Sequence, residues 1–211
     1  MIRIAPAALA VLALAACGDS GAPDTAAQAP AEAETQTAPA ETAAPAAEAP
    51  ENAADRWTVD QAQSALTFAG EIDGEAFDGE FSDWSADIWF DADNLEGSKI
   101  DARVNLASLD TGDSDMEETA TSADWLGSGE ARFVSNSVTA TQGGYAAQGV
   151  LTIKDQSHPF NLPFSVAISG DTANAQAEFG FERAGWNVGG GDFDGAVSDS
   201  ISVTIEVAAT R

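Results

Sequence analysis

The chain has 211 residues, and its 35 acidic side chains against eight Lys and Arg give a formal net charge of −27. A surface of this sign repels phosphate backbones, so the composition argues against nucleic-acid binding. A single cysteine excludes an intramolecular disulfide, and with only one histidine beside it the chain lacks the several His and Cys ligands of a zinc site.

The first 16 residues have the pattern of a signal peptide. Arg3 precedes an apolar run over 4–16, which is shorter than the roughly 20 residues of a membrane-spanning helix. The following Leu-Ala-Ala-Cys resembles the bacterial lipobox, in which Cys17 would be lipidated and begin the mature protein. The alternative is an ordinary cleaved signal that ends before a cysteine. We expect an exported lipoprotein of the cell envelope that faces the periplasm, and Gly18 favours the outer membrane.

Residues 17–55 are predicted to be a disordered linker. From Gly18 to Asp55 the chain consists mainly of Ala, Pro, Glu, Thr and Gln, with no aromatic residue and no Val, Ile or Leu. Such a segment cannot bury enough apolar area to offset its ordering entropy. We therefore expect a tether between the membrane anchor and a folded domain over 56–211.

The folded domain is predicted to be all-β. Apolar residues alternate in eight runs, which are separated by turn-forming pairs such as Asp73-Gly74 and Gly143-Gly144. The runs cover 64–72, 79–90, 98–106, 131–139, 145–153, 160–168, 173–183 and 201–207. The acidic segment over 113–122 has no such period and predicts one short helix. Eight strands with one apolar face each can form a sandwich or a closed antiparallel barrel.

Every second residue of these runs points to one apolar face, which is either a filled core or a ligand surface. Aromatic side chains suit both roles, because they pack without polar demands. The candidate ligand contacts on this face are Leu66, Phe68, Phe81, Ile88, Phe90, Val104, Phe133, Leu151, Ile153, Phe164, Phe179 and Phe181. The same alternation reaches Arg183, which either emerges at the rim to pair with an acid or contacts a ligand head group at the barrel mouth.

The domain contains little catalytic material. His158 is the only histidine, and the chain has no Gly-x-Ser-x-Gly turn. The acidic stretches at 91–97 and 113–118 begin like calcium loops but depart from that pattern in their ligands or their glycine. We therefore predict no catalytic residue, no metal site and no cofactor apart from a bound lipid.

Several motifs resemble the YceI-like lipid- or polyisoprenoid-binding family. "WTVDQAQSALTFAGEIDGEAFDGEFSDWSADIWFD" is similar to the start of its domain, and "KIDARVNLASLDTG", "ADWLGSGEARFVSNSV", "YAAQGVLTIKDQSHPFNLPF" and "FERAGWNVGGGDF" follow in the family's order. The resemblance covers about residues 56–211. It implies a lipocalin-like eight-stranded barrel around an apolar cavity, with Phe68, Phe81, Phe133 and Leu151 at apolar strand positions and Arg183 before the Gly-rich stretch.

One departure from the family pattern concerns Trp186, which stands where the family has Phe. We expect Trp186 to contact the ligand and to narrow one end of the cavity. Similar domains occur fused or adjacent to membrane b-type cytochromes, so the resemblance also implies quinone traffic and a cytochrome partner, while a homodimer stays open.

These observations predict a protein that binds and sequesters or carries a long apolar lipid in the cell envelope. The candidate ligands are an isoprenoid quinone, a polyprenyl lipid or a fatty chain. Two alternatives remain open at this point. One is a solid-core structural or interaction domain, and the other is an enzyme that acts on a lipid inside the barrel.

Overall fold

A computed structural model describes residues 49–51 and 53–211. The predicted signal peptide, Cys17 and nearly all of the predicted linker lie outside the described residues. The last linker residues are part of the fold, because the Ala54 N–H donates to Gly97 O at 2.8 Å and Ala54 is buried. The folded part thus begins slightly before the predicted boundary at residue 56.

The described chain forms eleven β-strands, one α-helix and several short 3-10 turns, and every strand pairing is antiparallel. The elements are β1 (Arg56–Val59), β2 (Ala65–Ile72), β3 (Glu75–Phe81), β4 (Trp84–Trp89), β5 (Lys99–Asn105), β6 (Leu109–Asp110), α1 (Ser114–Ala120), β7 (Glu130–Thr141), β8 (Gly144–Ile153), β9 (Gln156–Ser169), β10 (Thr172–Glu182) and β11 (Ser200–Thr210).

Eight of these strands close into a barrel in the order β1, β4, β5, β7, β8, β9, β10 and β11, with β11 returning to β1. The closing strand is only four residues long, and it pairs through Trp57 with Ile88 of β4 and through Thr58 with Thr210 of β11. After a 3-10 turn, β2 continues along β11, and β3 and β6 extend that side of the sheet. This topology confirms the predicted eight-stranded antiparallel barrel.

The eight predicted runs all fall on strands, but the run over 79–90 is two strands. The chain bends at Ser82 and Asp83, where the Ser82 N–H donates to Ser108 O at 3.2 Å and Asp83 O accepts from the Asn105 N–H at 2.9 Å. The predicted helix is α1, and Asp113 caps it by accepting from the N–H groups of Asp115 and Met116.

A β-bulge in β7 shows why one glycine is needed in the facing strand. The register shifts between Ser135 and Ser137, which leaves Asn136 as an extra residue. A Cβ on Gly149 of β8 would lie 2.2 Å from Val134 O, so only glycine allows this approach. The bulge keeps both Phe133 and Val138 in the inner packing of the barrel.

A group of aromatic rings seals one end of the barrel, which we call the closed end. The Phe90 ring lies 4.9 Å from the Tyr145 ring and 5.7 Å from the Phe164 ring, measured between centroids. Trp57 is 3% exposed, and its Nε1–H donates to Phe90 O at 2.9 Å. The short strand β1 therefore contributes a buried side chain as well as the closing pairing.

The outer face of β4, β5 and β7 carries an ion cluster. Asp101 is 2% exposed and accepts from Arg132 Nε at 2.9 Å and Arg132 Nη2 at 2.6 Å, while Arg103 Nη2 lies 3.6 Å from its carboxylate. The hydrogen bonds that Arg132 donates to the Asp101 carboxylate raise the pKa of Arg132. With Arg56 and Lys99, which lie over the outward-facing Trp89 ring, this face holds four of the seven cations of residues 56–211.

Candidate functional site

The barrel encloses a cavity of about 540 Å³. Its lining runs from Trp57 and Ala209 at the closed end to α1 and Phe193 at the opposite end, which we call the mouth. Thirteen of the fourteen predicted ligand contacts line it: Leu66, Phe68, Phe81, Ile88, Phe90, Val104, Phe133, Leu151, Ile153, Phe164, Phe179, Phe181 and Arg183. That these residues contact a ligand stays a prediction.

The inward side chains of β9 show that the interior is hollow. Phe160, Leu162, Phe164 and Val166 all line the cavity, yet each of them is only partly buried. A packed core would bury such residues almost completely and leave few voids larger than a water molecule. The cavity therefore argues against the solid-core alternative.

The wall between β9 and β10 is completed by side chains as well as by backbone pairing. The ladder between these strands joins Ser165–Ser169 to Thr172–Gln176. Farther toward the mouth, the Phe160 and Phe179 rings pack edge to face with centroids 5.0 Å apart. Two residues with inward-pointing rings thus help to form the wall and line the cavity together.

The cavity offers a ligand almost no polar contact along its length. Arg132 and Gln176 border the cavity, but Arg132 pairs with Asp101 on the outer face and Gln176 donates to Glu206. The other polar lining residues are Arg183 at the end of β10 and, in α1 and its approach, Thr111, Asp113, Asp115 and Thr119. Within residues 49–51 and 53–211, no buried side-chain nitrogen or oxygen lacks a hydrogen-bond partner. An apolar chain could therefore occupy this space without displacing a hydrogen bond.

Arg183 lies at the mouth, where all five of its N–H groups are used. It is 4% exposed, and Nε donates to Ser198 O at 2.7 Å, Nη1 to Val188 O at 3.1 Å and Nη2 to Val197 O at 2.9 Å. The remaining N–H groups of Nη1 and Nη2 donate to Asp194 Oδ1 and Asp194 O, both at 3.3 Å. The guanidinium thus fastens the loop over 188–198, and no donor remains for the predicted contact with a head group.

Gly189 explains why this loop is rich in glycine. Its φ of +112° is unfavourable for other residues, and a Cβ there would lie 2.1 Å from Arg183 Nη1. The Trp125 ring covers the guanidinium from another side, with Arg183 Cζ 5.1 Å from the ring centroid. The glycine therefore allows the loop to close tightly around the buried cation.

The sequence and structure of this barrel match proteins of one family. A model of the YceI-like domain matches residues 57–209. The chain belongs to the YceI-like family. The UPF0312 protein YE1254 of Yersinia enterocolitica is 26% identical over 141 residues, which are 63% of this chain and 73% of that protein.

Solved structures show the same fold. The crystal structure of Burkholderia cenocepacia BcnA superposes with a TM-score of 0.68 at 27% identity and covers 72% of this chain and all of that one. A domain from Saccharophagus degradans described as polyisoprenoid binding superposes with a TM-score of 0.51 at 10% identity, covering 74% of this chain and 97% of that domain. At that identity the second likeness concerns the fold alone.

Trp186 is the predicted contact that the structure of this YceI-like barrel places outside the cavity lining. The 3-10 turn Arg183–Trp186 ends the alternation of β10, and the indole packs into a buried apolar cluster with Trp125, Ile153 and Val188. Trp186 stacks on Phe181 with ring centroids 5.9 Å apart, and the His158 ring packs edge to face against it with centroids 4.8 Å apart. Trp186 thus supports Phe181, and its contact with a ligand and its narrowing of one end of the cavity stay predictions.

Alternation alone missed several residues at the mouth. Met116 and Ala120 line the cavity from α1, and Phe193 reaches it from the Gly-rich loop. A period of two cannot identify inward residues in a helix or a loop. The sequence of α1 gives a weaker indication of its inward face than strand alternation does, because Met116 and Ala120 are four residues apart and share one helical face.

Proposed function

We propose that this YceI-like protein binds a long apolar lipid inside its barrel and holds or carries it without transforming it. The single observation that supports this function is the continuous apolar cavity with half-buried Phe, Leu and Val side chains facing it. The ligand class we favour is an isoprenoid lipid, either a quinone or a polyprenyl lipid, with a fatty chain as a further candidate. The Saccharophagus degradans domain of this fold, which is described as polyisoprenoid binding, supports that choice.

Burial of the apolar part of the lipid in the cavity would supply the binding free energy. At about 25 cal/mol per Å², roughly 400 Å² of apolar ligand surface contributes on the order of 10 kcal/mol before entropy losses. A binding free energy of this size requires no polar contact along the apolar part of the lipid. We therefore expect the barrel to accept apolar chains of several kinds.

The proposal places the barrel in the cell envelope. The signal peptide over 1–16, lipidation at Cys17 and the linker would hold the domain at the periplasmic face of a membrane, with the outer membrane favoured by Gly18. No helix within the described residues is long and apolar enough to cross a bilayer. A membrane b-type cytochrome would be a partner if the ligand is a quinone, and binding itself does not require a homodimer.

An enzyme acting inside the barrel has less support. His158 is exposed and packs against Trp186, and neither ring is part of the cavity lining. Arg183, the cation in the lining at the mouth, is fully engaged in structural hydrogen bonds. Along the part of the cavity that would hold the apolar part of the lipid, the lining described above has no pair of polar groups placed for acid–base chemistry.

A cavity-filling pair of variants tests the proposed function. Ala175 of β10 lines the cavity beside Val166, its pairing partner on β9, whereas Ala167 of β9 is exposed on the outer face. We expect Ala175→Trp to abolish retention of an added isoprenoid quinone by the full chain and Ala167→Trp to leave it unchanged. Retention is measured as bound quinone per protein after gel filtration. Equal retention by both variants, with both folded by circular dichroism, would contradict binding in the cavity.

A further inference from the structure

We propose that the mouth of the barrel selects lipids with uncharged head groups and rejects those that end in a phosphate or a carboxylate. This inference rests on the proposed function and narrows its ligand class. It favours isoprenoid alcohols, quinols and quinones over polyprenyl phosphates and fatty acids. Three features of the structure lead to it, namely the position of the head group, the charge around the mouth and the hydrogen bonds that occupy the cations there.

The head group of a bound lipid has to lie at the mouth. At the closed end the cavity is bounded by Trp57, Phe90 and Ala209, and the indole N–H of Trp57 already donates to Phe90 O. A polar head placed there would lose its hydration without gaining a partner, which is costly. The exposed lining residues Asp113, Asp115 and Phe193 lie at the mouth, where a head group stays in contact with water.

Three segments surround the mouth and are joined by backbone hydrogen bonds. The β2–β3 turn is tied to the Gly-rich loop by Ser198 N–H donating to Glu71 O and Asp73 N–H donating to Ala196 O, both at 2.8 Å. The same loop is tied to the segment after α1 by Gly189 N–H donating to Asp124 O at 3.1 Å. The three segments therefore form one continuous rim.

The charge of this rim is of one sign. Residues 71–78, 110–124 and 187–199 contain four, six and three acidic residues, and none of the three segments contains a Lys or Arg. Two of these acids, Asp113 and Asp115, are themselves part of the cavity lining. An anionic head group at the mouth would face like charges at short range, which disfavours its binding.

The cations near the rim are occupied by the fold. Arg183 donates all five N–H groups to the loop over 188–198. Lys154 Nζ donates to Ala123 O at 2.8 Å and to Asn187 O at 3.0 Å, and so joins two of the rim segments. A phosphate would have to compete with these bonds, whereas a hydroxyl head can donate to a rim carboxylate without any rearrangement.

Matched lipids that differ only in the head group test this inference. The full chain is titrated with geranylgeraniol and with geranylgeranyl phosphate, and binding is followed by the fluorescence of the lining residues Trp57, Trp84 and Trp125. We expect the alcohol to bind about tenfold more tightly than the phosphate at low salt, with the ratio approaching one at ~0.5 M salt because screening weakens the repulsion. Equal or tighter binding of the phosphate at low salt would overturn the inference.

A charge-matched pair of variants locates the effect at the mouth. The double variant Asp113→Asn with Asp115→Asn removes two rim charges, and Asn at position 113 can still cap α1. It should bind the phosphate several-fold more tightly at low salt, so the ratio between the affinities for the alcohol and the phosphate should fall. The control is Asp93→Asn with Asp171→Asn, two exposed acids away from the rim segments, which should change neither affinity. Equal gains from both pairs would contradict a local effect of the rim.

The outcomes separate this inference from the proposed function. Binding of both lipids with equal affinity and no salt dependence would refute selection by charge and leave lipid binding intact. Failure of both lipids to bind would contradict the proposed function and the inference with it.

Discussion

The two ends of the barrel are held together by different interactions. At the closed end, aromatic side chains from β1, β8 and β9 pack with Phe90, which directly follows β4, and Trp57 is almost fully buried. At the mouth, the Gly-rich loop and the segment after α1 are held through their backbone carbonyls, which accept from Arg183 and Lys154. The comparison shows that apolar packing seals the closed end, whereas at the mouth hydrogen bonds from Arg183 and Lys154 supplement a second apolar cluster, which includes Trp125 and Trp186.

The largest expected effect is at the closed end. Trp57→Ala should lower the free energy of unfolding by about 3–5 kcal/mol, because it removes a buried ring and the hydrogen bond to Phe90 from the strand that closes the barrel. Trp84→Ala is the control, since Trp84 faces the cavity and is only partly buried. Denaturant unfolding measures both. A loss for Trp57→Ala no greater than that for Trp84→Ala would contradict closure by packing.

At the mouth, Arg183→Met should cost about 2–4 kcal/mol, because four backbone carbonyls lose their donor. Arg183→Lys keeps the charge but not the planar fork, so its loss should be intermediate. Hydrogen exchange should accelerate in residues 188–198 and stay unchanged in β8. Uniform acceleration throughout the barrel would indicate that Arg183 does not act locally on the loop.

Two identical substitutions compare packed and hollow parts of the interior. Val138 is 4% exposed in the packed cluster, whereas Val166 faces the cavity and is partly buried. We expect Val138→Ala to cost about 2 kcal/mol and Val166→Ala less than about 1 kcal/mol, because the second side chain loses few packing contacts. Equal losses of unfolding free energy would mean that the ligand-free interior is packed at both positions.

The smallest effect on stability is expected at the rim of the mouth. Phe193 is 51% exposed, so Phe193→Ser should change the free energy of unfolding by no more than about 0.5 kcal/mol. Because this ring lines the opening, the rate of lipid uptake should change instead. Stopped-flow tryptophan fluorescence measures that rate, and an unchanged rate together with a large loss of stability would show that Phe193 is a packing residue.

The same contrast explains how much could be predicted from the sequence. The inward residues of long strands, such as Phe164 of β9 and Phe179 of β10, follow from alternation because a strand places every second side chain on one face. The closing strand β1 is too short for that pattern, so Trp57 did not stand out as a cavity residue. Sequence periodicity likewise cannot distinguish a filled interior from a hollow one, because both require the same apolar residues.

Residues at the mouth were harder to predict because the regular period ends there. Arg183 and Trp186 lie in a 3-10 turn, so the step of two residues no longer indicates direction. The burial of Arg183 depends on carbonyl groups up to 15 residues away along the chain, at Ser198. Gly189 is required by its contact with that guanidinium, which no local sequence pattern reveals.

The most direct test of the central claim is native mass spectrometry, with lipid extraction, of the full chain purified from a bacterial envelope. We expect one apolar lipid per chain, whose released mass fits an uncharged isoprenoid, and its absence from the Ala175→Trp variant. A ligand-free mass that shifts with neither added isoprenoid quinone nor added polyprenol would contradict the account.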